Sequence, residues 1–228
     1  MLTLAPNAST DYDISMVANR GPPIAEAGFS ITPLSPTYSE AASSGSGSQK
    51  QQQDFVLLGG HTQAAFINMS QVALFSLPQE SWTFLAVSQP SSAATMTKSD
   101  LSARQAATAE VEPRSGHTAV LTEDGECVVL FGGWVGDVGT AAEPQLAVLR
   151  LGAGFGGTGD WSWSALAESN SSSSPGDGLY GHGAAMLPGG VMLVVGGYAI
   201  PASSSSSSSA ASSKRAVQSA NSQIYFYN

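Results

Sequence analysis

The side chains best suited to chemistry are few. Three histidines, His61, His117 and His182, and one cysteine, Cys127, are all the imidazoles and thiols in the chain. Three imidazoles suffice for a zinc site, but no carboxylate or second thiol is spaced to join them, so no metal or other cofactor is expected. The lone thiol excludes an internal disulfide. It sits in Glu126-Cys127-Val128-Val129, in line with an apolar strand, and reads as an inert core residue. The run Gly154-Phe155-Gly156-Gly157-Thr158-Gly159 matches G-x-G-x-x-G after an apolar strand. A dinucleotide site needs a helix to begin at once, so that its N-terminus meets the pyrophosphate. The residues that follow, Asp160-Trp161-Ser162-Trp163, read as a strand, which makes the motif a glycine-rich turn. The chain holds 36 serines but no G-x-S-x-G elbow. With no catalytic constellation in view, the expected protein is not an enzyme.

Charge and hydropathy exclude further classes. The 228 residues include 17 acidic against 8 basic side chains, a formal charge of −9, which leaves no basic footprint for nucleic acid. No apolar run approaches the roughly 18 to 20 residues that span a bilayer as a helix; the longest, residues 191–200, is interrupted by Gly196 and Gly197. The first basic residue is Arg20, after Asp11 and Asp13, unlike the start of a secretory signal. Asn7, Asn68 and Asn170 each begin an Asn-x-Ser sequon and are the candidate glycosylation sites, a pointer to an extracellular setting.

The elements that position these residues follow from texture. Helix-favouring Lys, Glu, Arg and Gln are scarce, the chain has 25 Gly and 12 Pro, and apolar residues come in short bursts between turn-forming clusters. That pattern predicts short strands in an all-β fold. Residues 39–53, 89–112, 169–178 and 201–222 are low in complexity and are expected to form loops.

Between those loops the sequence repeats. Three apolar runs end in glycine pairs: Phe55-Val56-Leu57-Leu58-Gly59-Gly60, Val128-Val129-Leu130-Phe131-Gly132-Gly133 and Met192-Leu193-Val194-Val195-Gly196-Gly197. Upstream of the second and third lie Gly116-His117 and Gly181-His182, 15 and 14 residues before Gly132 and Gly196. The first unit has Gly28-Phe29, with Phe29 in the histidine's place and the residue 39–53 insert in the connecting turn. After each pair comes a Gln and an alternating strand, starting at Gln71, Gln145 and Gln223. A Trp-bearing strand, beginning at Trp82 or Trp161, closes the first two units.

Four landmarks in fixed order resemble the kelch repeat, in which each unit of about 50 residues forms one four-stranded blade of a β-propeller. The resemblance divides the chain into an N-terminal segment (1–19), a first blade (20–88), a linker (89–112), a second blade (113–168), a Ser-rich linker (169–178) and a partial third blade (179–228). In such a fold a run of four large apolar residues suits a strand covered on both faces, and the glycine pair allows a tight turn or a close approach by a neighbouring strand. The Trp fills the interface between blades, where its indole N–H needs a partner.

Propellers close with about four to eight blades, so two units and most of a third imply an incomplete ring: either a piece of a longer protein, or copies that self-associate through open blade edges. His117 and His182 are structural residues of strand starts on this reading. Trp134 and Tyr198 follow glycine pairs at the mouth of loops and are candidate contact residues. The opening Arg20-Gly21-Pro22-Pro23, the sequons and the Ser/Ala inserts are similar to fungal cell-surface kelch proteins, which implies a non-catalytic scaffold binding an unspecified protein or glycan. The alternative in the same superfamily is a secreted copper radical oxidase like galactose oxidase, truncated before its catalytic blades.

Overall fold

Among the residues that the computed structural model describes (2–6, 12–16, 27–40, 49–77, 79–90, 110–165, 178–201 and 219–227), every regular element is a β-strand and none is a helix. The protein is all-β. Strands β1 (Leu2–Pro6) and β2 (Tyr12–Met16) form an antiparallel hairpin of their own. Three larger antiparallel sheets follow, one for each glycine pair.

The first contains β3 (Ser30–Pro33), β4 (Thr37–Glu40), β5 (Gln49–Leu58), β6 (Gln71–Leu77) and β7 (Ser81–Ala86), ordered β3-β5-β6-β7 with β4 also paired to β5. The second contains β8 (Thr118–Leu121), β9 (Cys127–Phe131), β12 (Leu146–Arg150) and β13 (Ser162–Ala165), ordered β8-β9-β12-β13; β10 (Trp134–Val135) and β11 (Asp137–Ala141) make a hairpin in its central loop. In the third, β15 (Gly183–Leu187), β16 (Val191–Val195) and β18 (Ile224–Tyr227) are ordered β15-β16-β18, with β14 (Gly178–Tyr180) and β17 (Tyr198–Ile200) paired beside them. The first two sheets thus place their four principal strands in chain order, as the four landmarks require.

The apolar runs become central strands because both of their faces are covered. Alternate residues of β9 enter different cores: Val128 and Leu130 pack with Val56, Leu58 and Leu74 of the first sheet, whereas Val129 and Phe131 pack with Met192 and Val194 of the third. Burying each such side chain contributes about 1.5–3 kcal/mol relative to leaving it exposed. A strand wetted on one face would alternate apolar with polar; one buried on both need not.

Three expectations are modified. Residues 39–53 do not form a simple loop, because Thr37–Glu40 pairs with residues 49–52 and lengthens β5 to 10 residues against 5 for β9. A Gln-rich ribbon can pair through its backbone without an apolar pattern, and Gln52 Nε2 further donates to both Asp54 carboxylate oxygens at 3.0 and 3.1 Å. The linker 89–112 is anchored at both ends: Val111, 2% exposed, donates its N–H to Gln89 Oε1 at 3.0 Å. Finally, the partner that stands where Trp82 stands is Trp163, not Trp161. Trp82 pairs with Phe75, four residues after Gln71, and Trp163 with Leu149, four after Gln145. Trp161 is also buried, packing on Phe155 with ring centroids 5.5 Å apart, but it lies at the turn before β13.

Asn7, Asn170 and most of the serine-rich inserts lie outside the described residues. Among the described residues, no helix is long and apolar enough to cross a membrane.

Candidate functional site

The sheets meet through a repeated joint built from the glycine pairs and the histidines. All six pair glycines have positive φ, from 58° at Gly59 to 99° at Gly133. The two glycines of a pair have different tasks. The second faces the strand entry of its own sheet: a Cβ on Gly60, Gly133 or Gly197 would stand 2.9, 3.1 or 2.8 Å from the Cβ of Phe29, His117 or His182. Phe29 is therefore the positional equivalent of the histidines.

The first glycine receives the next sheet. A Cβ on Gly59 would stand 2.7 Å from both the Arg114 carbonyl oxygen and His117 Cε1. One on Gly132 would overlap the Leu179 carbonyl and stand 2.5 Å from His182 Cε1. The second glycine's amide completes the joint, with Gly60 N–H donating to Arg114 O at 2.7 Å and Gly133 N–H to Leu179 O at 2.8 Å. Beside it runs a ladder of strand-entry glycines: Gly116 N–H donates to Gly28 O at 2.9 Å, and Gly181 N–H to Gly116 O at 2.7 Å.

Every histidine is committed to a hydroxyl across a joint. His117 Nε2 bonds Ser30 Oγ at 3.0 Å, His182 Nε2 bonds Thr118 Oγ1 at 2.8 Å, and His61 Nδ1 bonds Ser115 Oγ at 2.8 Å. Among the described residues, no group of three or more His, Cys, Asp or Glu is placed to hold a metal ion. Cys127 lies half-buried at the start of β9 rather than in the core, and burial followed by nearby Asp124 pushes its thiol pKa up. A thiol so held is a poor nucleophile. The glycine-rich run 154–159 lies between β12 and β13 and is followed by a strand, so no helix N-terminus meets it.

Burial dominates the electrostatics of the joint. His117 and His182 are only 6% and 7% exposed; Nδ1 of each ring makes no hydrogen bond of ordinary geometry, although the backbone of Leu58 and of Phe131 respectively lies near enough to raise the pKa against burial. Desolvation lowers the pKa of His117 to about 3, helped by the charges of Arg114 and His182, and that of His182 to about 4. Both rings are neutral when folded at pH 7. The unfolded chain binds their protons below the ordinary value of 6.5, so their contribution is complete above that pH and is lost as pH falls toward 4 and then 3. Each ring should cost about 2 kcal/mol of stability between pH 6.5 and 5. Denaturant melts at pH 7 and 5 should show this loss, and His182→Phe, the residue type that Phe29 already places at this position, should remove about half of it. An unchanged acid slope in the variant would contradict the assignment.

Arg114 was not expected to matter. It is fully buried and donates to four backbone carbonyls: Nε to Glu112 at 3.1 Å, one terminal nitrogen to Gly132 at 3.0 Å and Pro144 at 2.8 Å, the other to Glu143 at 2.9 Å. Burial lowers its pKa to about 10, against the raising effect of the Glu112 and Glu143 carboxylates. Gln145 is a second such residue. Its Nε2 donates to Ala142 O at 2.6 Å and its Oε1 accepts from Leu179 N–H at 3.1 Å, which ties the second sheet to the third. The recurring Gln before each alternating strand was the visible signal for it; a lone Arg ahead of Gly116 carried none.

The residues after the glycine pairs gather at the end of the sheets where the joints lie. His61, Trp134 and Tyr198 bridge back to Ala27, Ser115 and Tyr180, each just ahead of a strand-entry glycine. Trp134 packs against Phe66 edge-on at 5.2 Å and against His61 at 5.3 Å, and Tyr198 against Tyr180 at 5.6 Å. Trp134 is half-buried and Tyr198 is 44% exposed. Thus Trp134 caps the first joint while the Tyr198 ring is open to solvent. Asn68 is exposed in the neighbouring loop, with Oδ1 accepting the Ser70 N–H at 2.7 Å.

The chain matches no protein-family model and no curated protein significantly.

Proposed function

We propose that the chain is a kelch-like propeller segment that serves as a non-catalytic interaction scaffold, with its contact surface at the aromatic end around Trp134 and Tyr198. The observation that carries this reading is that three consecutive units present an aromatic or imidazole ring, His61, Trp134 and Tyr198, at one equivalent position beside loops. Rigid aromatic rings offer large contact area at low entropic cost and are common anchors of binding surfaces. The histidines and the thiol, by contrast, are occupied with internal hydrogen bonds or held in forms unsuited to catalysis. The exposed sequon at Asn68 supports a cell-surface or secreted setting, and a protein or glycan partner.

Binding of the purified chain to glycan and extracellular-protein arrays tests the surface. Tyr198→Ala should weaken a true ligand at least about tenfold. Glu123→Ala, in the turn at the opposite end of β8, should leave it unchanged. Ligands insensitive to Tyr198→Ala and Trp134→Phe would overturn this location. Elemental analysis should find no stoichiometric copper or zinc; a tightly held equivalent would favour the oxidase alternative.

A further inference from the structure

The three sheets expose two unlike apolar faces, one at each end of the stack. On the third sheet Val195, Ile224 and Phe226 are 45%, 57% and 62% exposed. Their register equivalents in the second sheet, Phe131, Leu146 and Val148, lie on the face toward the third sheet, where Phe131 is 1% exposed. On the first sheet Ile31 and Phe84 are 55% and 47% exposed, at positions equivalent to Ala119 and Ala165 on the face by which the second sheet meets the first. One end therefore repeats the leading face of an internal joint, and the other repeats the trailing face.

Two details distinguish the end faces from the internal joints. Trp163 Nε1 donates across the first joint to Met69 O at 2.7 Å, whereas Trp82 Nε1, its equivalent, is buried without a hydrogen-bond partner. A buried donor left unmade is costly. Gly59 and Gly132 are covered by the following sheet's carbonyl and histidine, whereas a Cβ on Gly196 would meet nothing within 4 Å. The third sheet thus carries an unfilled socket at Gly196, whereas the Trp82 Nε1 is enclosed within its own chain.

We infer that the third sheet is covered by the first sheet of a second copy, head to tail, and that the same joint formed reciprocally closes a two-copy ring of six sheets. This deepens the propeller reading above and rests on it. Six lies within the four to eight blades with which such rings close, and a heterologous contact that closes leaves neither apolar face exposed.

Sedimentation equilibrium of the 228-residue chain should find a dimer. Phe226→Glu should convert it to monomer without lowering the melting temperature of dilute protein, because that ring touches no internal core. Ile31→Glu, on the open face of the first sheet, should break the dimer as well. A monomer at high concentration, with the faces bare or awaiting further chain, or an open polymer, overturns the ring. Hydrogen exchange on the same sample separates the two claims: slow exchange at the Gly60 and Gly133 amides in a monomer sinks the ring alone, and fast exchange there sinks the stacked-sheet reading as well.

Discussion

Replacing Arg114 by methionine is expected to destabilise the fold by about 3–5 kcal/mol, the cost of breaking a buried charged network from one side. At roughly 2–4 °C per kcal/mol for a chain of this size, the melting temperature should fall by about 10 °C or more. The guanidinium donates to the carbonyls of Glu112, Gly132, Glu143 and Pro144 together, and these belong to the linker end, the glycine pair and the loop before β12. Its loss would remove this donor from the Glu112, Gly132 and Pro144 carbonyls, in three segments at once, while Glu143 O keeps the Glu112 N–H at 2.9 Å. Arg114→Lys keeps the charge, but a single ammonium cannot span a planar fork of acceptors, so most of the loss should persist. A lysine variant melting within about 2 °C of the parent would show that charge rather than geometry holds the site.

The second large effect separates two glycines that look identical in sequence. Gly132→Ala and Gly196→Ala both place a side chain at positive φ, +72° and +74°, for which roughly 1–2 kcal/mol is charged. Only at Gly132 does the new Cβ also strike a neighbour, overlapping the Leu179 carbonyl and standing 2.5 Å from His182 Cε1. Overpacking adds about 1–3 kcal/mol. Gly132→Ala should therefore lose about 2–5 kcal/mol and Gly196→Ala only about 1–2 in dilute protein. Equal losses would mean that the backbone angle alone decides, and that the close approach across the joint is unimportant.

Much of the joint is legible in the sequence. The position of Phe29 as a degraded histidine, the strand covered on both faces and the order of the four strands all follow from local pattern, because side-chain alternation and glycine conformation are local properties. The register of the Trp strand was not legible. Trp161 and Trp163 are two residues apart and would share one face of an extended strand, so sequence spacing cannot choose between them; pairing with Leu149 does. The expectation of a core position for Cys127 failed similarly, since the first residue of a strand is buried only if a neighbouring element reaches that far.

The sequence by itself determined that this is an all-β chain of repeated units, where each unit turns, and which residue types stand at equivalent places, since these depend on backbone propensity and on contacts a few residues away. Tertiary structure alone decided what each equivalent residue does. The same glycine is a filled socket at position 132 and an open one at 196, and the same indole donates to Met69 from Trp163 but to nothing from Trp82. Those differences arise because a sheet's environment is set by the sheet stacked against it, which is distant in sequence and identical in pattern.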